Sequence, residues 1–293
     1  MTDFRFQQPG IIGAGRVAQA LALALRQRAS APPLLWGRSP EKAHNAAAGV
    51  GAVAEPDLDR LVAECDVIAV AVADDALTDV VSRLAVALPA GHSPFIFHVS
   101  GRSGAAALEP LGKAGAMTAA IHPAMTFTGD PESEVGRMAG ARFAITAPTG
   151  EAIERARNIV ASLGGIAVEI AEERRALYHA ALCHASNHLV TLVSGAARGL
   201  KDAGVDDPAA LLAPLVRAAL ENSLAHGFAG LSGPLLRGDA RTIGNHLTVL
   251  ANDSPALLPA YSAMARATLD ELKRREIAPS SRLTALDSLL AVP

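Results

Sequence analysis

Over its first 170 residues the chain alternates short apolar runs with stretches in which apolar positions recur every three or four residues. Ile11–Ile12 leads into a helical period from Val17 to Arg28, and Leu34–Trp36 into another from Pro40 to Ala48. Asp66–Ala73 is almost wholly apolar and rich in β-branched residues, the pattern of a strand buried on both faces of a parallel sheet. A helix over Ala76–Leu88, a strand over Phe95–Val99 and a helix over Ala105–Ala114 are expected next. Thr118–Ile121 and Phe143–Thr146 read as strands, followed by a helix to about Leu163 and a last strand over Ile166–Ile170. This alternation predicts a doubly wound, mainly parallel α/β sheet. From Glu172 onward only the helical period remains, interrupted at Gly204–Pro208, Gly227–Gly238 and Asn252–Pro255. The expected organisation is an α/β domain over 1–170 and an all-α domain over 171–293. A cleft between two such domains is the natural ligand site.

Composition narrows the function classes. Half of the residues are hydrophobic but only 3% are aromatic, so the cores must pack through small and branched aliphatic side chains. The net charge of −3 is spread over both signs with no basic stripe, which argues against a nucleic-acid partner. The longest clean apolar run, Val67–Ala73, falls far short of the ~20 residues that cross a bilayer, so no membrane span is expected. The first residues lack the apolar segment of a secretory leader. Cys65 and Cys183 provide neither a disulfide framework nor metal-type spacing. A reduced, cytoplasmic setting is the expectation.

Gly13-Ala14-Gly15-Arg16-Val17-Ala18 follows the first apolar run and opens the first helix. In a G-x-G-x-x-A turn the first glycine permits the tight bend and the second lets the backbone approach a pyrophosphate. The helix N-terminus, here at Arg16 and Val17, then offers N–H groups to the anion. Placed in the first strand–turn–helix of an alternating chain, the motif predicts a Rossmann domain that binds a dinucleotide. An NAD enzyme usually carries Asp or Glu at the end of the second strand. Here Gly37-Arg38-Ser39 stands in that place, and Arg38 with Ser39 suits a 2′-phosphate, hence NADP(H). Ser39 reads equally as a helix N-cap before Pro40, and Arg38 as a solvated charge. Pro9 should make the first strand short or irregular.

Ligands of open α/β sheets lie beyond the carboxyl ends of the strands. That rule selects Ala73-Asp74-Asp75, Ser100–Gly104 and His122–Thr126. Ser100-Gly101 reads either as a contact to nicotinamide or substrate or as a plain turn. His122 reads either as an acid/base group or as a structural hydrogen-bonder. In the helical half His179, Cys183, Ser186, Asn187 and Val190 share one helix face, so polar side chains there should turn to a cleft or pay for burial. Arg237, in Ser-Gly-Pro-Leu-Leu-Arg-Gly-Asp, suits a substrate carboxylate, or else forms a local pair with Asp239. His184 and His188 stand four apart, but no carboxylate accompanies them and no metal site is expected.

With these pieces assembled, the chain resembles the 6-phosphogluconate dehydrogenase-like superfamily, which includes β-hydroxyacid dehydrogenases, ketopantoate reductases and pyrroline-5-carboxylate reductases. Within it, the chain is most similar to bacterial proteins that join a Rossmann-like domain to a helical domain of unknown function. The residues that carry the resemblance are GIIGAGRV, the VSG turn, IHPAMTF, ALYHAALCHASNHL and SGPLLRGD. The resemblance implies a helical dimerisation domain, a homodimer and a site between domains. It points to NADPH-dependent reduction of a small 2-oxo acid, ketopantoate first. A cyclic imine is the alternative substrate, and a non-catalytic NADP(H) sensor the alternative role. One departure matters: the lysine such enzymes place on the first C-terminal helix has no counterpart, since Cys183 stands four residues before Asn187. His179, then His122, is the expected proton donor, with Asn187 and Ser186 orienting the carbonyl.

Overall fold

The structure is a computed structural model that describes residues 5–277 and 280–291. The chain divides into two compact units, one ending at Leu182 and the other beginning at Cys183.

The first unit carries strands β1 (Pro9–Ile12), β2 (Leu34–Trp36), β3 (Val53–Ala54), β4 (Val67–Val70), β5 (Phe95–His98), β6 (Met117–Pro123), β7 (Arg142–Thr146) and β8 (Ile166–Glu169). They form one sheet in the order β3-β2-β1-β4-β5-β6-β7-β8. Every neighbouring pair is parallel except β6 and β7. The helices between them are α1 (Arg16–Arg26), α2 (Pro40–Val50), α3 (Leu58–Glu64), α4 (Leu77–Ala87), α5 (Glu109–Lys113), α6 (Pro131–Met138) and α7 (Gly150–Ser162). One face of the sheet packs Ile11, Phe97, Ile121 and Phe143 against α1, α2 and α7. The other packs Ile12, Ile68, Val70 and Ile96 against α3 and α4. This is the α/β class that the hydrophobic pattern predicts.

Several elements depart from the pattern for local reasons. Pro9 is the first residue of β1 and pairs in register with Val67. A proline tolerated at a strand's first position leaves β1 short but regular, rather than irregular. β3 has two residues, too few for any period to register. α3 has only seven residues and starts at Asp57, whose carboxylate accepts from the backbone N–H groups of Asp59 and Arg60. α6 is absent from the expected elements; Asp130 caps it and Pro131 occupies its first turn. β6 runs on through His122 to Pro123 because β7 pairs with it antiparallel, His122 opposite Ala144.

Helix α8 (Arg175–Asp202) begins in the first unit, and its residues from Cys183 on belong to the second. The second unit continues with α9 (Pro208–His226), α10 (Pro234–Arg237), α11 (Ala240–Asp253), α12 (Leu258–Arg274) and α13 (Ser280–Leu290). Its core is small: Ile243, Leu269, Leu272, Leu283 and Leu286. Leu257 lies against Gly195 and Gly199 of α8, where an added methyl group would come within 3.0–3.1 Å of it. Leu189, Val190, Leu211, Leu215, Leu220 and Leu224 on α8 and α9 remain exposed. Among the described residues no helix is long and apolar enough to cross a membrane.

Candidate functional site

The first βα turn builds a groove at the carboxyl ends of β1, β2 and β4. Gly13 has φ +128, and a Cβ there would strike the carbonyl oxygen of Ala71. Gly15 is its opposite, with nothing within 4 Å of the position a Cβ would take. Gly15 is also the N-cap of α1, and no side chain caps that first turn, which leaves its N–H groups open to a ligand. The groove encloses about 1000 Å³, and its lining includes Gly13, Ala14, Gly15, Gly37, Arg38 and Ser39 together with Ala73 and Asp75. A cradle that only glycine can shape, beside an uncapped helix start, fits the pyrophosphate of a dinucleotide.

At the end of β2 a side chain on Gly37 would lie 3.2 Å from the Ala43 methyl and 3.4 Å from that of Ala14, so a ribose-binding carboxylate would be crowded there. Cations stand nearby instead. Arg38, Lys42 and Arg83 line the groove, and the Arg83 guanidinium sits 5.0 Å from the centroid of the Trp36 ring. Among the described residues none of the three has an ion-pair partner. Ser39 caps α2, accepting from the Lys42 N–H at 3.4 Å. Asp74 turns aside from the groove to pair with Arg102 at 2.9 Å, which ties the loop after β4 to the loop after β5. Arg16 reaches the Phe127 carbonyl at 3.4 Å. Lys42 and Arg83 escape sequence reasoning because neither adjoins the glycine motif; both arrive on helices.

A second cluster gathers at the ends of β5 and β6, still within the first unit. The His122 Nδ1 lies 2.9 Å from the Tyr178 hydroxyl, and the two rings meet edge to face. The His179 ring stands edge-on to His122, with centroids 5.9 Å apart. Both imidazoles rest on Gly101, where a Cβ would collide with His179 and lie 2.9 Å from His122 Nε2. Burial holds the His122 imidazole down at about 4; the Arg175 charge and His179 push the same way, and Asp74 opposes them. Burial raises the Tyr178 hydroxyl, against the pull of Arg175. At neutral pH the pair is therefore an uncharged imidazole bonded to a protonated phenol, able to share a proton across one short bond.

Beneath this cluster lies a buried polar layer. The Ser100 N–H donates to His98 Nδ1 at 3.1 Å, so Nε2 carries the proton and donates to the Gly104 carbonyl at 2.8 Å. Burial brings His98 down to about 4 as well. Arg175, at the start of α8 and 1% exposed, donates to the carbonyls of Ser103 and Ser100 at 2.9 Å and of Ala144 at 3.3 Å.

The structure thus brings His122, His179, Ser100 and Gly101 together, and adds Tyr178, Arg175 and His98. The motif around Tyr178 is visible in the sequence; that its hydroxyl meets His122, 56 positions earlier, is not. The other expected catalytic and substrate-binding residues, Ser186, Asn187 and Arg237, belong to the second unit. Ser186 Oγ bonds Asn187 Oδ1 at 3.1 Å, and Asn187 is exposed. Arg237 ends α10 and is exposed, while Asp239 caps α11 through the Thr242 N–H and hydroxyl. His184 and His188 face each other with Nδ1 atoms 3.0 Å apart. Among the described residues no group of three or more His, Cys, Asp or Glu gathers as for a metal ion.

Comparison with known proteins agrees with this fold. Residues 3–123 match the family described as Rossmann-like domain, and residues 141–268 match Domain of unknown function (DUF2520). No curated protein matches the chain. Among solved structures, a Bacteroides fragilis protein provisionally described as an NADP oxidoreductase is 23% identical, with 89% of this chain and 97% of that one covered at a TM-score of 0.75. A reductive aminase from Aspergillus terreus, in complex with NADPH4, cyclohexanone and allyl amine, is 16% identical, with 97% and 99% covered at 0.65. A 1-pyrroline-5-carboxylate reductase from Streptococcus pyogenes is 17% identical, with 97% and 96% covered at 0.57. What the chain shares with these structures is the fold.

Proposed function

We propose that the protein is an NADP(H)-dependent reductase that saturates a C=N or C=O bond of a small molecule. The observation that carries this reading is the glycine-shaped groove on the uncapped start of α1, rimmed at the end of β2 by cations without carboxylate partners. The backbone of Gly13–Val17 would hold the pyrophosphate, and Arg38, Ser39, Lys42 and Arg83 the 2′-phosphate. NADPH, when bound, supplies a hydride.

The chain's own part is the proton. Tyr178 would donate it to the substrate nitrogen or oxygen, and His122, uncharged and 2.9 Å away, would relay its replacement. No lysine lies on the first turns of α8, so a phenol is the acid at hand. So weak an acid suits an imine better than a ketone, because an imine nitrogen is the more basic atom. The shared fold with a pyrroline reductase and a reductive aminase favours the same order: a cyclic imine first, a 2-oxo acid such as ketopantoate second. A homodimer through the C-terminal helices belongs to this reading, supported by the exposed leucines of α9, and sedimentation velocity would test it.

The experiment is a titration of NADPH and of NADH against Trp36 fluorescence, followed by NADPH oxidation with 1-pyrroline-5-carboxylate and with ketopantoate. Saturable binding that prefers NADPH, with turnover of either compound, is expected. Tyr178→Phe should lower kcat by about 10²–10⁴-fold with little change in KM, the usual loss for a general acid. If His179→Ala falls that far and Tyr178→Phe does not, His179 is the donor. No binding of either nucleotide would remove the reductase reading.

A further inference from the structure

Arg175 is costly for a residue with no obvious task. Burying a cation forfeits its hydration, a large cost unless a counter-charge or full hydrogen bonding replaces it. Among the described residues no carboxylate forms an ion pair with Arg175, and its three hydrogen bonds all go to backbone carbonyls. Burial accordingly lowers its own affinity for the proton, and Tyr178 and Glu172 oppose that only in part. A neutral amide could satisfy two of the three carbonyls without that cost, so carbonyl satisfaction alone does not explain the charge.

Its surroundings do. Ser100 and Ser103 bracket Gly101, the residue on which the His122 and His179 rings both rest. Ala144 lies opposite His122 in the β6–β7 pairing. Tyr178 stands one turn along α8, with the guanidinium carbon 5.7 Å from its ring centroid. Arg175 therefore ties together the loop after β5, strand β7 beside His122 and the first turn of α8, and sets a positive charge near the phenol.

We propose that Arg175 is a positioning residue that holds the Tyr178–His122 pair in register and keeps it poised to release a proton. The inference rests on the reductase reading. Its charge acts on both partners in the useful direction. A second positive charge on His122 is disfavoured, so the imidazole stays able to accept; a negative charge on Tyr178 is favoured, so the phenol lets its proton go. The other charged or titratable groups facing His122 are His98 from β5, Asp74 from the loop after β4, and His179 and Tyr178 from α8. Asp74 is partnered by Arg102, which leaves Arg175 as the buried charge of the set.

The test compares Arg175→Gln, which keeps two N–H donors and loses the charge, with Arg175→Lys, which keeps the charge. In cofactor-free protein, an NMR titration of the imidazoles should show the His122 midpoint rising by about one unit or more in R175Q and staying close to wild type in R175K. With NADPH and substrate, the alkaline limb of the kcat–pH profile should move upward in R175Q and return in R175K, while the KM for NADPH stays unchanged. A folded R175Q with an unmoved His122 midpoint overturns the proposal, as does an R175K that shifts as far as R175Q. If neither variant folds, Arg175 is a structural tie alone and the proposal is overturned. A wild-type protein without turnover would sink the reductase reading by itself, whereas the NMR titration still decides whether Arg175 governs the pair.

Discussion

Two glycines two positions apart illustrate how differently a residue type can be required. Gly13 combines φ +128 with a Cβ position blocked by Ala71, so the fold itself needs it; Gly15 faces open space, so a ligand would need it. Gly13→Ala should lower stability by about 1–3 kcal/mol through backbone strain alone. Gly15→Ala should melt close to wild type yet bind NADPH roughly tenfold more weakly, about 1.4 kcal/mol. Thermal denaturation and fluorescence titration of the two variants separate these effects, and equal behaviour in both assays would refute the distinction. The motif containing both glycines is legible in the sequence because it is local. The roles of Tyr178, Arg175 and His98 are not, because each depends on a partner remote in sequence, as in the reach of Arg175 to Ser100 and Ala144.

Elements long enough to repeat their period declare themselves, as α1, α4 and α7 do. The missed ones, β3, α3 and α6, are short, and the two helices depend on caps rather than on periodicity. Capping also bears on Arg237. Asp239 is the N-cap of α11, bonded to the Thr242 N–H at 3.0 Å and to its hydroxyl at 2.7 Å. Asp239→Ala should therefore lower the midpoint of a denaturant titration. Arg237→Ala, at an exposed position, should stay within about 0.5 kcal/mol of wild type. If Arg237→Ala raises the KM for an acidic substrate at that unchanged stability, the side chain is a carboxylate clamp; if KM is also unchanged, the clamp is excluded.

Across the first unit, two imidazoles make stability depend on pH. His98 and His122 stay neutral down to about 4, mainly through burial, whereas in the unfolded chain each takes up its proton near 6.5. The unfolded state thus binds more protons between these values. The contribution is fully present above about 6.5 and is lost as pH falls toward 4, about 3 kcal/mol for each histidine. Chemical denaturation at pH 7, 5.5 and 4 should show this fall, and His98→Gln should flatten it by about half. A pH-independent midpoint would contradict the burial of both rings. The sequence by itself determined the alternating α/β architecture, the glycine turn, the missing carboxylate at the end of β2 and the helical second half. These follow from interactions between residues close along the chain, and hydrophobic period and turn chemistry record them. The tertiary structure alone decided that β7 turns antiparallel against β6, that Arg83 comes to Trp36, and that an uncharged His122 meets Tyr178 above a buried arginine. Each depends on burial and on contacts between distant segments, and neither leaves a periodic trace in the order of residues.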